Sequence, residues 1–174
     1  MVNLGNDDIL MIRHAHSNAN RFCHAGMLLP GQQNFHLTDK GHEQAEQLGE
    51  ELRIRLGRNM GKMAVATSEF WRTQETARVA GFSTINPHSE LNEIMNSSPW
   101  EAANHKFLRH DFQLARDLAV HNLLVNQPEE NIWFSHGFLM SDLMKALGRK
   151  RKHILIANTE IIELSRDELV EITD

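Results

Sequence analysis

The run Ile9-Leu10-Met11-Ile12 constrains this chain most, because it is uniformly apolar and then stops at Arg13-His14-Ala15-His16. Four consecutive apolar residues, two of them β-branched, predict a short strand buried on both faces, as in a parallel sheet covered by helices. Open α/β folds bind their ligands beyond the carboxyl ends of such strands. Arg13 and His14 therefore fall at the lip of a candidate pocket. A second run of the same kind, Ile132-Trp133-Phe134, ends in Ser135-His136-Gly137.

Between these runs the pattern changes to helical periods. Thr38 followed by Asp39 reads as an N-cap with an acidic first turn, and Ala45, Leu48, Leu52 and Leu56 recur at three- and four-residue steps as far as Gly57. Met63 to Thr67 predicts a second strand, after which Ser68 is expected to cap a helix carrying Arg72, Thr76 and Val79 and stopping at Gly81. A third strand around Thr84-Ile85-Asn86 leads to Glu90-Leu91-Asn92-Glu93. Asn96 to Asn104 has no clean period and reads as loop or short helix. A long helix follows from about His105 to Val125, with Phe112, Ala115, Leu118, Ala119 and Leu123 on one face. Phe138 to Leu147 is a helix closed by Gly148, and Ile161–Leu164 with Leu169–Ile172 around Arg166-Asp167 predict a terminal hairpin. Alternating strands and helices predict an α/β fold: a three-layer sandwich, its central sheet mostly parallel, with helices on both faces. A length of 174 residues suits one domain spanning 1–174.

Composition narrows the partners. A net charge of −5 argues against a general nucleic-acid binder, which needs a basic surface. No apolar run approaches bilayer length, and the polar, acidic stretch Met1 to Asp8 leads us to expect no signal peptide and no membrane partner. The single cysteine, Cys23, fits a reducing compartment and hence the cytoplasm. It reads as a small residue near the pocket.

In a parallel sheet Arg13, His14 and His136 share one edge, and Arg72, one turn into the helix after the second strand, reaches the same edge. Two guanidiniums and two imidazoles suit a dianion, and the guanidinium fork matches phosphate oxygens. The same residues have plainer readings. His136 alone reads as a core histidine, and Arg72 as a surface arginine paired with Glu69 or Glu75. His14 and His16 also have a spacing used by metal-dependent hydrolases.

Five stretches then line up with a known family. Arg13 to Asn20, RHAHSNAN, resembles the R-H-G-x-[ST]-x-x-N opening of the histidine phosphatase superfamily, the phosphoglycerate mutase-like proteins. Leu37 to Ala45, Thr67 to Ala77, Leu91-Asn92-Glu93 and Ser135-His136-Gly137 are similar to its later landmarks in the same order, covering roughly Ile9 to Leu164. The resemblance implies a phosphohistidine mechanism with His14 as nucleophile and Glu93 as proton donor, Glu90 and Glu101 being its neighbouring rivals. It implies that Arg13, Asn20, Arg72 and His136 bind the phosphoryl group of a small phosphorylated substrate, with no metal and no other cofactor. The expected activity is a metal-independent phosphomonoesterase, since the chain is short beside the cofactor-dependent mutases. The alternatives are mutase-like phosphoryl transfer, a metal-dependent hydrolase using His14 and His16, and a non-catalytic phospholigand-binding module. Two positions depart from the pattern: Ala15 replaces glycine, so its backbone must avoid glycine-only angles, and His16 replaces glutamate or glutamine. His16 either lines the pocket or faces solvent. Substrate choice is expected from the Arg21–Phe35 loop and Asn96–Lys106, while the basic run Arg149 to Lys152 is expected far from the pocket.

Overall fold

The computed structural model describes residues 5, 7–20, 34–93, 106–149 and 156–171, without the side chains of 106–112. Cys23, Glu101, the 96–104 segment and residues 150–152 lie outside the described residues, as does most of the 21–35 loop.

The apolar runs form the strands they predict. Strand β1 (Asp8–Arg13) is followed by helix α1 (Asp39–Leu56), β2 (Ala64–Thr67), α2 (Trp71–Val79), β3 (Thr84–Pro87), α3 (Lys106–Val125), β4 (Ile132–Ser135), α4 (Gly137–Ala146), β5 (Ile161–Ser165) and α5 (Arg166–Val170). The five strands make one sheet in the order β3-β2-β4-β1-β5. β1, β2, β3 and β4 are mutually parallel where they pair, and β5 runs antiparallel against β1.

Both faces of the central strands are covered. Ile9, Met11 and Trp133 pack with Val120 and Leu123 of α3, Leu139, Met140 and Leu143 of α4, and Leu169 of α5. Leu10, Ile12, Ile132 and Phe134 pack on the opposite face with Leu48 and Leu52 of α1 and Ala77 and Phe82 at α2. A strand with consecutive apolar residues therefore feeds two separate cores, which is why β1 and β4 lack polar alternation. The three-layer sandwich is the observed architecture. Among the described residues no helix is long and apolar enough to cross a membrane.

Local chemistry sets the element ends. Thr38 caps α1, its hydroxyl accepting from the Gly41 N–H at 3.2 Å, and Gly57 closes it. Three expectations need correction. Ser68 does not cap α2: Phe70 holds the N-cap position without a side-chain bond, and the Ser68 hydroxyl accepts from the Phe70 N–H while serving another partner, described below. Leu118 is 57% exposed, because the buried stripe of α3 runs through Val120, Leu123 and Leu124. The terminal hairpin does not exist. Ser165 caps α5 by accepting from the Glu168 N–H at 3.2 Å, so the chain turns helical where a returning strand was expected. Leu169 tucks into the core instead of pairing in the sheet. The Ser-Arg-Asp-Glu spacing of 165–168 is that of a capping box.

Helices α1 and α2 approach closely at Gly49. A Cβ there would stand 2.5 Å from the Ala80 carbonyl oxygen. Gly→Ala in a helix ordinarily gains up to about 1 kcal/mol. Here Gly49→Ala is expected to lose about 1–3 kcal/mol through overpacking against backbone. The urea midpoint at unchanged m-value measures it.

Candidate functional site

β1 and β4 lie side by side with Arg13 in register with Ser135, so their next residues, His14 and His136, emerge together. The two rings sit 5.2 Å apart, centroid to centroid, in a T-shaped arrangement. β2 flanks β4, and the turn after it begins α2, whose second residue is Arg72. Arg72 is 1% exposed and lies between the histidines. Its Nε–H donates to His14 Nε2 at 3.3 Å and its Nη2 faces His136 Nδ1 at 3.1 Å. The Phe70 ring, 4.7 Å from the guanidinium carbon, packs on Arg72 and also on His136.

These bonds assign the tautomers. His14 Nδ1 lies 2.7 Å from the Ala15 carbonyl, which can only accept, so Nδ1 carries the proton and Nε2 keeps a lone pair. A guanidinium only donates, so His136 Nδ1 accepts from Arg72 and its Nε2–H donates to the Ser68 hydroxyl at 2.7 Å. Ser68 lies 2.9 Å from Thr73 Oγ1, and Thr73 donates to the Phe70 carbonyl at 2.7 Å, so the residue read as a helix cap is instead the support of His136. Burial, reinforced by the Arg72 charge, holds both imidazoles well below their usual pKa, and Arg13 adds to the effect at each. Both are therefore neutral near pH 7.

Glu93 follows the short 3-10 turn Ser89–Leu91 and enters from beside α4. One oxygen accepts from the Phe138 N–H at 2.9 Å; the other stands 3.7 Å from Arg72 Nη2 and 3.9 Å from His136 Nδ1. Burial raises its pKa above the usual carboxylate value, against the opposing pull of Arg72. Asn92 braces this approach by accepting from the Glu69 N–H at 2.9 Å and donating to the Glu69 carboxylate at 2.7 Å. Glu90 is engaged with Ser89 at 3.2 Å rather than with the histidines.

Arg13 is half-buried and donates through Nη1 to the Ile156 carbonyl. Its guanidinium lies against Gly137, where a Cβ would come within 2.9 Å of Nε and 3.1 Å of Cζ. The first residue of α4 is thus small because an arginine occupies the space of its side chain. Asn20 turns its carboxamide oxygen to the Ser17 N–H and hydroxyl at 2.9 and 3.1 Å, which directs its NH2 end away from Ser17. Ala15 needs no glycine angle: Thr159 is the non-glycine residue with positive φ among the described residues, and the Ala15 N–H donates to Thr76 Oγ1 at 3.1 Å. His16 is bound on the side of Thr38 and Gln44. It is half-buried, with Nδ1 on Thr38 Oγ1 at 2.8 Å and its N–H on the Gln44 side chain at 2.9 Å. Both ring nitrogens of His14 are engaged by Ala15 and Arg72, and a guanidinium beside Nε2 opposes a cation there.

Some participants escaped the sequence reading. Thr76 and Glu75 lie on α2 one turn beyond Arg72; Glu75 does not pair with Arg72 but accepts from the Leu37 N–H at 2.9 Å, with His36 and His42 at 3.3 and 3.4 Å. Their helical spacing from Arg72 is the signal that could have revealed these roles. Asn158 donates to the His14 carbonyl at 2.9 Å, and nothing in its local composition pointed to β1.

The family model of the histidine phosphatase superfamily (branch 1) matches residues 9–130. No curated protein matches the chain. Among solved structures, TTHB049 from Thermus thermophilus is 18% identical with a TM-score of 0.62, covering 90% of this chain and 92% of that one. A mycobacterial glucosyl-3-phosphoglycerate phosphatase complexed with VO3 is 19% identical with a TM-score of 0.55, over 91% and 92% of the two chains. A protein described as mycobacterial hydrolase 1 is 18% identical with a TM-score of 0.56, over 91% of each. At such identities the likeness is one of fold.

The protonation states can be read directly. Imidazole ¹⁵N NMR is expected to show the Nδ1–H form for His14 and the Nε2–H form for His136, both staying neutral as pH falls past about 6.5. Arg72→Met removes a cation from both rings, so both should then protonate at higher pH than in the unmutated protein.

Proposed function

The chain belongs to the histidine phosphatase superfamily, and from that membership we propose that it hydrolyses a small phosphomonoester through a phosphohistidine on His14. The observation that carries this reading is the neutral His14 with an Nε2 lone pair beside a buried guanidinium. A phosphoryl group drawn to Arg72 and Arg13 takes over the Nε–H that Arg72 gives to His14 and so meets that lone pair; the NH2 end of Asn20 supplies a further contact to its oxygens, and His136, whose Nδ1 accepts from Arg72, keeps that guanidinium in place. The Nε2–phosphorus bond forms as the bond from phosphorus to the ester oxygen breaks. Glu93, its pKa raised by burial, delivers its proton to the departing oxygen and releases an alcohol. Water then attacks the phosphohistidine, the Glu93 carboxylate takes a proton from it, and the phosphorus–nitrogen pair returns to Nε2. The guanidiniums neutralise charge in both transition states, so no metal enters the cycle. The lone cysteine supports a cytoplasmic setting.

Hydrolysis of an aryl phosphate should survive excess chelator, and vanadate should inhibit it. Loss of activity on chelation, restored by a divalent ion, would replace this reading with a metal-dependent one. His14→Ala should cut turnover by about 10³-fold or more while vanadate binding stays measurable.

The pH profile follows from the two shifted groups. Turnover needs neutral His14 and protonated Glu93. The first is lost as pH falls through the depressed pKa of His14, the second as pH rises through the raised pKa of Glu93. A bell-shaped profile bounded by those two groups is expected for alkyl phosphates. Glu93→Gln should abolish the alkaline limb and cost alkyl esters about 10²–10⁴-fold, with activated aryl esters far less affected. Equal losses on both substrate types would remove Glu93 from the role.

A further inference from the structure

The turn between α4 and β5 holds the main chain of Arg13 and His14 more closely than a connecting loop needs to. β5 pairs with β1 up to Ile12 opposite Ile161, and the chain just before it continues past the end of that ladder. The Glu160 carbonyl accepts from the Arg13 N–H at 3.1 Å, and the Thr159 N–H donates to the Arg13 carbonyl at 3.0 Å. The Asn158 carboxamide donates to the His14 carbonyl at 2.9 Å, and the Ile156 carbonyl receives the Arg13 guanidinium. On the opposite side the His14 N–H donates to the Ser135 carbonyl of β4 at 3.0 Å. The main chain of His14 is therefore held at both its N–H and its C=O, by two different elements.

The turn is itself closed. The Ala157 N–H donates to the Glu160 carboxylate at 2.6 Å, the Glu160 N–H to the Ala157 carbonyl at 3.2 Å, and the Thr159 hydroxyl to the Asn158 carbonyl at 2.6 Å. At its centre Thr159 has φ +60°, a left-handed conformation that disfavours a β-branched residue. Strain of this kind persists where surrounding bonds over-determine it, and it concentrates at functional sites. Here the left-handed residue allows adjacent groups, the Asn158 side chain and the Thr159 N–H, to reach the consecutive carbonyls of His14 and Arg13. These residues lie outside the 9–130 match to the family model.

We infer that Asn158 is a positioning residue and that the strained Asn158-Thr159 turn is a clamp fixing the direction in which His14 Nε2 points. The inference rests on the phosphohistidine reading and assigns how its nucleophile is aimed. The His14 Nδ1–H donates to the carbonyl of Ala15, in the peptide plane that joins residues 15 and 16, so the ring is tied to the main chain one peptide beyond its own carbonyl. The plane between, joining residues 14 and 15, carries the His14 oxygen that Asn158 holds and the Ala15 N–H that Thr76 receives. Without the carboxamide that plane is held at its N–H end alone and can tilt about the Thr76 bond, which shifts the Ala15 carbonyl against the His14 ring, loosens the Nδ1–H bond and turns the lone pair on Nε2 away from the phosphorus. A misplacement of about 1 Å can cost on the order of 10²-fold in rate.

Asn158→Ala tests this in the full chain with three readouts. Rapid-quench labelling with an activated aryl phosphate should show phosphohistidine formation slowed by about 10–10²-fold. Vanadate affinity should stay within about threefold, since the guanidiniums remain, and imidazole ¹⁵N NMR should show His14 losing its single Nδ1–H form. Thr159→Gly should keep the wild-type rate, because the clamp uses a backbone N–H and glycine accepts the left-handed angle without strain. A folded Asn158→Ala protein with the wild-type labelling rate and an unchanged His14 tautomer would overturn the inference. So would a thermal shift alone, with the rate of the folded fraction preserved, since that marks a merely structural turn. A Thr159→Gly protein as slow as Asn158→Ala would also overturn it, by moving the function to the threonine side chain. Absence of phosphohistidine in the unmutated protein would remove the proposed function instead, and the tautomer comparison would still judge the clamp.

Discussion

The buried guanidinium of Arg72 is the interaction on which the edge of this sheet depends. It lies in the first turn of α2, where the positive end of the helix dipole disfavours a cation. It is almost wholly removed from water, which is costly for a charge unless hydrogen bonds replace hydration. The replacements are two imidazole lone pairs, an aromatic face and a carboxylate at 3.7 Å. Two of these are neutral acceptors, and the carboxylate is itself pushed toward its protonated form. These described partners solvate the positive charge without cancelling it. In the proposed reaction an arriving phosphoryl dianion would cancel it, beside the Nε2 of His14.

The sheet makes this arrangement possible because parallel neighbours end together. Arg13 opposite Ser135, and Thr67 opposite Phe134, place the first residues after three strands on one line. Each strand is anchored in two cores at once, so its end cannot shift without disturbing packing on both faces. Polar side chains at the edge are then fixed by apolar residues several positions away. The network below them is also closed: Ser68 holds His136, Thr73 adjoins Ser68, and Thr76 links the Ala15 N–H to the Arg72 carbonyl at 2.6 Å.

What the sequence disclosed, and what it withheld, follows from range. Apolar runs such as Ile9 to Ile12 and Ile132 to Phe134 declare buried strands because burial on both faces leaves no room for alternation. Thr38 and Gly57 mark the ends of α1 through chemistry within one turn. The grouping of His14, Arg72 and His136 was legible because strand ends of a parallel sheet share an edge. Three features misled, each for its own physical reason. Ser68 carries every mark of a cap, yet its hydroxyl is drawn to a histidine 68 positions away. Ser165 capped a helix where apolar alternation in 169–172 suggested a strand. Leu118 fits the period of α3 but falls outside the stripe that its neighbours define. Asn158 is the extreme case, since its partner is 144 positions distant and its own surroundings are ordinary.

The order of the strands has a consequence for synthesis. β1 is made first, yet both of its neighbours in the sheet, β4 and β5, are made last. A nascent chain therefore carries an unpaired, two-sided apolar strand until nearly all of it has emerged. Such a segment exposes open hydrogen-bonding edges and is a point of vulnerability to mispairing during elongation. Helices α1 and α2, with β2 and β3, can assemble one core face early; the other must wait for α3, α4 and β5. His14 is thus among the first residues translated and among the last to find its final surroundings.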